Sequence, residues 1–251
     1  MAAQVALLLK LLIPSLMHAW MTAVRPINEI PWSENDPQED EVRIACLTMD
    51  TQMAAMAFPQ VFPFHFRRVV MRWTAAHEQQ CLRFTRLTWF DDGAGSSRLL
   101  IKNSAHMARV SMVLRHFLRA CYVLLHRKAE DSIRSLVHVK QRLAELFGMQ
   151  PAPDLCTQVD QLTAARSQLI NAFELSRPHT PADQLLEVDC NDPVAMPLET
   201  VQRIFDHLRL GGSYVARGPI QKRISQARSY TADPVQLTAE AQRRLQELLA
   251  T

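Results

Sequence analysis

Glycine is scarce in this chain, and that limits the loops it can build. Only 6 of its 251 residues are glycine, roughly a third of the usual share of about 7%. Folds that cradle phosphate on glycine-rich loops need glycine at fixed places, where the backbone takes a positive φ or approaches the ligand closely. Here every glycine has a structural position to fill. Gly93 and Gly95 fall in a turn cluster, Gly148 and Gly211-Gly212 follow helical stretches, and Gly218 precedes Pro219. No glycine is left over for a cofactor loop, and no cofactor is expected. The rest of the composition, 48% hydrophobic and 21% charged, is that of a globular protein able to bury a core.

Helical spacing of apolar residues dominates the second half. Asn103-Ser104 can cap a helix. Val110, Leu114, Phe117, Cys121 and Leu124 then recur at spacings of 4, 3, 4 and 3, which predicts one helical seam. The seam breaks at His126-Arg127-Lys128-Ala129-Glu130-Asp131 and resumes with Ile133, Leu136, Val137, Leu143 and Phe147. Gly148, Pro151 and Pro153 end it. A second helix is expected from Asp154 to Ser176, stopped by Arg177-Pro178, and a proline-rich loop over 178–197. Leu198, Val201, Ile204, Phe205 and Leu208 mark a short amphipathic helix closed by Gly211-Gly212. Asp233-Pro234 opens the last helix, with Leu237, Ala241, Leu245 and Leu248 on one face.

The region 42–103 reads differently. Val42, Ile44 and Cys46 alternate with Arg43 and Ala45, a strand pattern. Pro59 and Pro63 suit the stretch Phe58–Phe66 to an edge or a loop. Arg67–Trp73 fits helix or strand. Cys81–Phe90 and Arg98–Lys102 flank the turn cluster Asp91–Ser97, which predicts an antiparallel hairpin, with helix as its alternative. The expected fold is therefore mainly α: a bundle-like helical domain with a small antiparallel β element, α+β being the runner-up. Four segments follow: an N-terminal helix over 1–25, an acidic proline-containing linker over 26–41, a β-containing region over 42–103 and a helical domain over 104–251.

Residues 2–24 contain no acidic side chain. Lys10, Pro14, His18 and Thr22 recur every four residues on one helical face. Leu7, Leu8, Leu12, Ile13, Leu16 and Trp20 supply a broad apolar surface. Three readings compete: a secretory signal, disfavoured because its start lacks a positive charge and no small-x-small site follows, a helix packed in a core or on a partner, and a helix in or on a membrane. The acid-free start also suits an organelle-import segment.

Net charge is +3, unevenly spread: −4 over 1–41, +9 over 42–150, −6 over 151–200 and +4 over 201–251. The cations are 23 Arg and 5 Lys. Arg67, Arg68, Arg72, Arg83 and Arg86 lie among Phe64, Phe66, Trp73, Phe84 and Trp89, and Arg115 and Arg119 follow at helical spacing. Arginine beside aromatic rings grips phosphate and stacks on bases, so these seven are candidate partner or phosphate contacts. Residues 198–228 also fit a helix–turn–helix, with Lys222, Arg223 and Arg228 on its second helix.

Catalytic spacings are missing. The chain holds no G-x-S-x-G, H-E-x-x-H, G-x-x-x-x-G-K or G-x-G-x-x-G pattern. His77-Glu78-Gln79-Gln80-Cys81 approaches a zinc-helix pattern but carries Cys where the second His belongs, so no metal is expected. Cys46, Cys81, Cys121, Cys156 and Cys190 are odd in number and widely spaced, which suits a reducing, intracellular compartment. These features lead to a non-catalytic structural or adaptor subunit of a multiprotein assembly. It would bind other subunits, with membrane lipid reached through residues 2–24 and a mitochondrial or other organelle membrane as its location. An RNA-binding or ribonucleoprotein subunit using region 64–142 is the alternative, and an enzyme of unrecognised type the third reading.

Overall fold

A computed structural model describes residues 55, 57–91, 99–211, 218–222, 224–225 and 236–250. All of them belong to the unit Glu39–Thr251. The expectations for Leu7, Leu8, Leu12, Ile13, Leu16 and Trp20, the 26–41 linker, the 42–46 strand and Asp233-Pro234 lie outside the described residues.

Among the described residues, 57–91 is mainly helical where strands or loops were expected, and 99–102, expected as the second hairpin strand, has no regular structure. A short 3-10 turn, Pro59–Val61, leads into α1, Phe62–Phe66. Pro63 sits in the first turn of α1, where its missing N–H costs no hydrogen bond. Phe62 and Phe66 are buried one turn apart, with stacked rings 5.6 Å between centroids. A π turn, Arg67–Met71, continues from α1. Trp73 Nε1 donates to the Val69 carbonyl, which also accepts from Arg109 Nη2 at 3.1 Å. The Arg109 guanidinium lies 3.7 Å from the Trp73 ring centroid. α2, Ala75–Asp91, replaces the first strand of the expected hairpin. Thr74 begins it, its Oγ1 accepting from His77 N at 3.3 Å. Cys81, Leu82 and Thr85 are buried from one side of the helix, a spacing of one turn that outweighs the alternation seen in sequence.

The predicted helical seam over 110–124 is also corrected. After a 3-10 turn, Ser104–Arg109, whose Asn103 side chain accepts from Ala105 N at 2.8 Å, α3 runs only from Val110 to His116. The chain leaves helical geometry at Phe117 and forms β1, Tyr122–His126. α4, Ala129–Phe147, and α5, Leu155–Ser176, follow. β2, Leu185–Asp189, lies inside the segment expected as a loop. The two strands pair in parallel, Tyr122 opposite Leu185 through His126 opposite Asp189. The sheet is thus parallel, not antiparallel, because α4 and α5 form a long connection between its strands. The mainly helical character stands.

α5 is held at its start by Asp154, whose carboxylate accepts from Thr157 N at 2.9 Å and Thr157 Oγ1 at 2.6 Å. α6, Asp192–Ala195, and α7, Pro197–His207, come after β2. α7 does not close on Gly211-Gly212. Its left-handed residue is Arg209, at φ 52°, and Leu210 N bonds back to Phe205 O at 2.9 Å. Residues 218–222 are helical, and α8, Ala239–Ala250, is the last element. The core joins Phe62, Phe66 and Val70 to Ile133 and Val137 of α4, Val159, Leu162 and Ala165 of α5, and Ala241 and Leu245 of α8. Gly148 is required where α4 ends, because a Cβ there would stand 2.3 Å from the Ala144 carbonyl oxygen. No helix among the described residues is long and apolar enough to cross a membrane.

Candidate active site

The carboxyl ends of β1 and β2 lie side by side. In sheets of parallel strands, that edge is where ligands bind. β1 ends at His126, and α4 begins at Ala129. Only Arg127 and Lys128 connect them. Lys128 is the first residue of the helix boundary, at φ −51° and ψ 137°, and its side chain makes no capping bond. The first intrahelical bond is Ser132 N to Lys128 O at 3.0 Å. The amides of Ala129, Glu130 and Asp131 therefore stand outside the helical ladder. They point from the positive end of a 19-residue helix.

Two exposed cations stand at the positive pole of that helix, a place that favours negative charge beside them. Glu130 and Asp131 lie in the same turn. The Glu130 carboxylate, however, is engaged elsewhere, accepting from Gln242 Nε2 at 2.9 Å and Arg134 Nη2 at 2.9 Å. These bonds, led by Gln242, lower its pKa. A third cation reaches the turn: Arg166 of α5 donates from Nη2 to the Arg127 carbonyl at 3.5 Å. Among the described residues, neither Arg127 nor Arg166 forms an ion pair.

The strand ends beneath the turn are clamped. His126 Nε2 bonds to Glu187 of β2, and Arg177 donates to the same carboxylate through Nη1 and Nη2. Arg177, first, and burial against it, then His126, leave the Glu187 pKa lowered. The Arg177 guanidinium also bonds Glu174 at 2.9 and 3.0 Å. Beyond the ladder, Cys190 N donates to the His126 carbonyl at 2.7 Å. The His126–Glu187–Arg177 network ties down the strand end from which the Arg127-Lys128 turn departs. The arrangement can hold a multiply charged oxyanion, with Arg127 as a two-pronged donor and the helix amides as a fixed cradle.

The absence of spare glycine did not exclude such a site. A turn that keeps φ negative at Lys128 needs no glycine. In sequence, Arg127 and Lys128 marked only the place where a helical seam broke. The signal available was an apolar run, Tyr122-Val123-Leu124-Leu125, ending on cations before a helix start.

The seven arginines singled out in sequence are not gathered into one site. Arg67, Arg68 and Arg72 line one groove with Phe64. Arg83 and Arg86 are exposed on α2. Arg115 is paired with Glu78 at 3.2 Å, and His116 holds the same carboxylate. Arg119 is exposed in the turn before β1.

Comparison with known proteins bears on this edge. The family model described as "Sulfotransferase family" matches residues 15–212, a span that holds β1, the Arg127-Lys128 turn, α4, α5 and β2. The chain is 21% identical over 221 residues to the omega-hydroxy-beta-dihydromenaquinone-9 sulfotransferase Stf3 of Mycobacterium bovis and to that of Mycobacterium tuberculosis. Each alignment covers 86% of this chain and 56% of the relative, so the chain spans about half the length of these curated relatives. No solved structure matches. The family match overturns the non-catalytic structural or adaptor subunit and the ribonucleoprotein subunit expected from sequence, and nothing found supports the mitochondrial location. The non-catalytic reading rested on missing catalytic spacings, and a site built of strand edge and helix end has no such spacing to find. The chain belongs to the sulfotransferase family.

Proposed function

We propose that the β1–α4 turn binds the anionic end of an activated sulfate, and that the chain takes part in moving its sulfo group to a hydroxyl. One observation carries this reading: a two-residue basic turn at the edge of a parallel strand pair, opening onto an uncapped helix end, inside the span matched by the family. In such a transfer the donor S–O bond breaks and a new S–O bond forms to the acceptor oxygen. The acceptor proton leaves, and the donor retains the negative charge of the cleaved bond. Arg127 and the first amides of α4 hold that charge in place as it develops. Lys128 and Arg166 add positive potential around it. The His126–Glu187–Arg177 network keeps the turn in position. The relatives are named for a menaquinone carrying a terminal hydroxyl, which suggests as acceptor class a hydroxyl on a hydrophobic molecule.

The test is transfer of labelled sulfur from an adenylyl phosphosulfate to a hydroxylated quinone and to a short water-soluble alcohol, using the full chain. Transfer is expected with the intact turn. Arg127→Ala lowers donor affinity roughly ten- to a hundredfold, the worth of one charged hydrogen-bonding partner. Transfer by Arg127→Ala equal to the parent removes the turn from the donor site. No transfer to either acceptor overturns the proposed activity.

A further inference from the structure

A second basic feature lies away from the turn. Phe64, Arg67, Arg68 and Arg72 line an open groove of about 420 Å³. It runs along the outward side of α1 and the π turn, whose inward side buries Phe62, Phe66, Val69 and Val70. Val61, Phe64 and Arg68 fall at helical spacing on that outward side. Val61 is 41% and Phe64 61% exposed, and all three arginines are exposed. Among the described residues, neither Arg67 nor Arg72 pairs with a carboxylate. The groove is firmly backed: Val69 O, in the π turn itself, accepts from both Trp73 and Arg109.

We propose that this face binds the headgroups of an anionic phospholipid bilayer. Charge complementarity selects the ligand class. The guanidiniums of Arg67 and Arg72 call for phosphate oxygens, which they meet as two-pronged donors, and Arg68 adds positive charge between them. The apolar residues select the bilayer over a small free anion. An anion in solution would satisfy the arginines and leave Phe64 and Val61 in water. A bilayer interface takes both at once, the ring and the branched chain entering below the phosphates while the long arginine stems keep their heads among them. The proposal does not depend on the transfer chemistry: binding to lipid is measured with no donor present.

The test is partition of the full chain onto vesicles of phosphatidylcholine alone and of phosphatidylcholine mixed with phosphatidylglycerol. Binding is expected on the mixed vesicles only, weakening as salt rises. Each arginine near the surface is worth roughly fivefold, so Arg67→Gln/Arg68→Gln/Arg72→Gln together lower partition on the order of a hundredfold. All three positions are exposed, and an unchanged thermal unfolding curve establishes that the triple variant is folded. Phe64→Trp gives a direct reading of depth: its emission shifts to the blue on mixed vesicles relative to the parent chain. Partition of the triple variant equal to the parent, or an unshifted Phe64→Trp spectrum, overturns the proposal. So does saturation by inorganic phosphate with no vesicle binding. Transfer to a water-soluble alcohol is unchanged in the triple variant. Failure of lipid binding therefore leaves the donor site standing, and failure of transfer leaves the lipid surface standing.

Discussion

The Arg127-Lys128 turn and the Arg67–Arg72 groove use the same side chains for different ends. At the turn, the cations sit where a parallel strand pair stops and a 19-residue helix starts. Backbone amides outside the helical ladder and two neighbouring cations meet there in sequence. Along the groove, the cations lie on the flank of a helical segment, spread beside an exposed ring. Arg67 and Arg72 follow the last residues of α1 and of the π turn, so any helix ends beside them are carboxyl ends. The first geometry concentrates charge on a compact oxyanion, and the second distributes it over a surface. Residue type alone does not separate the two; the backbone beneath does.

The supports of the two regions offer ways to break this contrast. The largest effect is expected from Arg109→Ala. Arg109 is 3% exposed, donates to Val69 O and lies over Trp73. Its loss removes a buried charged hydrogen bond and a desolvated cation–π contact, and costs about 2–4 kcal/mol in urea unfolding. Vesicle partition falls with it, while transfer to a soluble alcohol persists below the unfolding transition. A cost under about 1 kcal/mol would mean that the π turn holds itself.

Lys140 links the two regions. It is fully buried on α4, with Nζ bonded to Gln161 Oε1 at 2.6 Å and lying 4.1 Å from the Phe62 ring centroid of α1. Burial lowers its pKa from 10.5 to about 8. Between those values the unfolded chain binds more protons than the folded one, so stability rises with pH across that window. Below about pH 8 both states hold the proton, and the full cost of the buried charge is present. Lys140→Met should therefore stabilise the fold near neutral pH by roughly 1–3 kcal/mol, part of the gain being offset by the lost ring contact. The advantage shrinks as pH climbs through the window. Parallel pH profiles for parent and variant would contradict this account.

The smallest effect is expected at Tyr122, the first residue of β1. Its hydroxyl is buried without a hydrogen-bond partner among the described residues, and burial pushes its pKa up to about 12. Tyr122→Phe removes an unsatisfied polar atom. Stability should stay level or rise by up to about 1 kcal/mol, with transfer and vesicle binding unchanged. A clear loss of stability in thermal unfolding would reveal a partner for the hydroxyl.

Much of the helical frame was legible in the sequence. Asp154 capped α5 where expected, Asn103 capped the turn before α3, and Ala241 and Leu245 formed the buried side of α8. Caps and one-turn spacings are local, and a reader of sequence sees them directly. β1 and β2 were missed because neither means anything alone. Each is a five-residue run, and His126 meets Glu187 61 positions later. A short apolar run is ambiguous between strand and helix until its partner is known. The Arg67, Arg68 and Arg72 cluster was visible because its members are neighbours in the chain. The Arg127-Lys128 turn was not, because Arg127 acquires its setting from a strand edge that only the fold creates. Lys140 carried no warning either: its helical position matches Ile133 and Val137, but a charged side chain gives no sign in sequence of being buried.

The parallel pairing also sets an order of assembly. A two-stranded sheet has little stability of its own, and this one cannot close until α4 and α5 have folded back to bring its halves together. The entropy of ordering that long connection falls due before the strands gain anything from each other. The clamp of His126, Glu187 and Arg177 therefore forms late on the path to the native state. What the chain offers to an anion is finished only when the rest of the bundle is already in place.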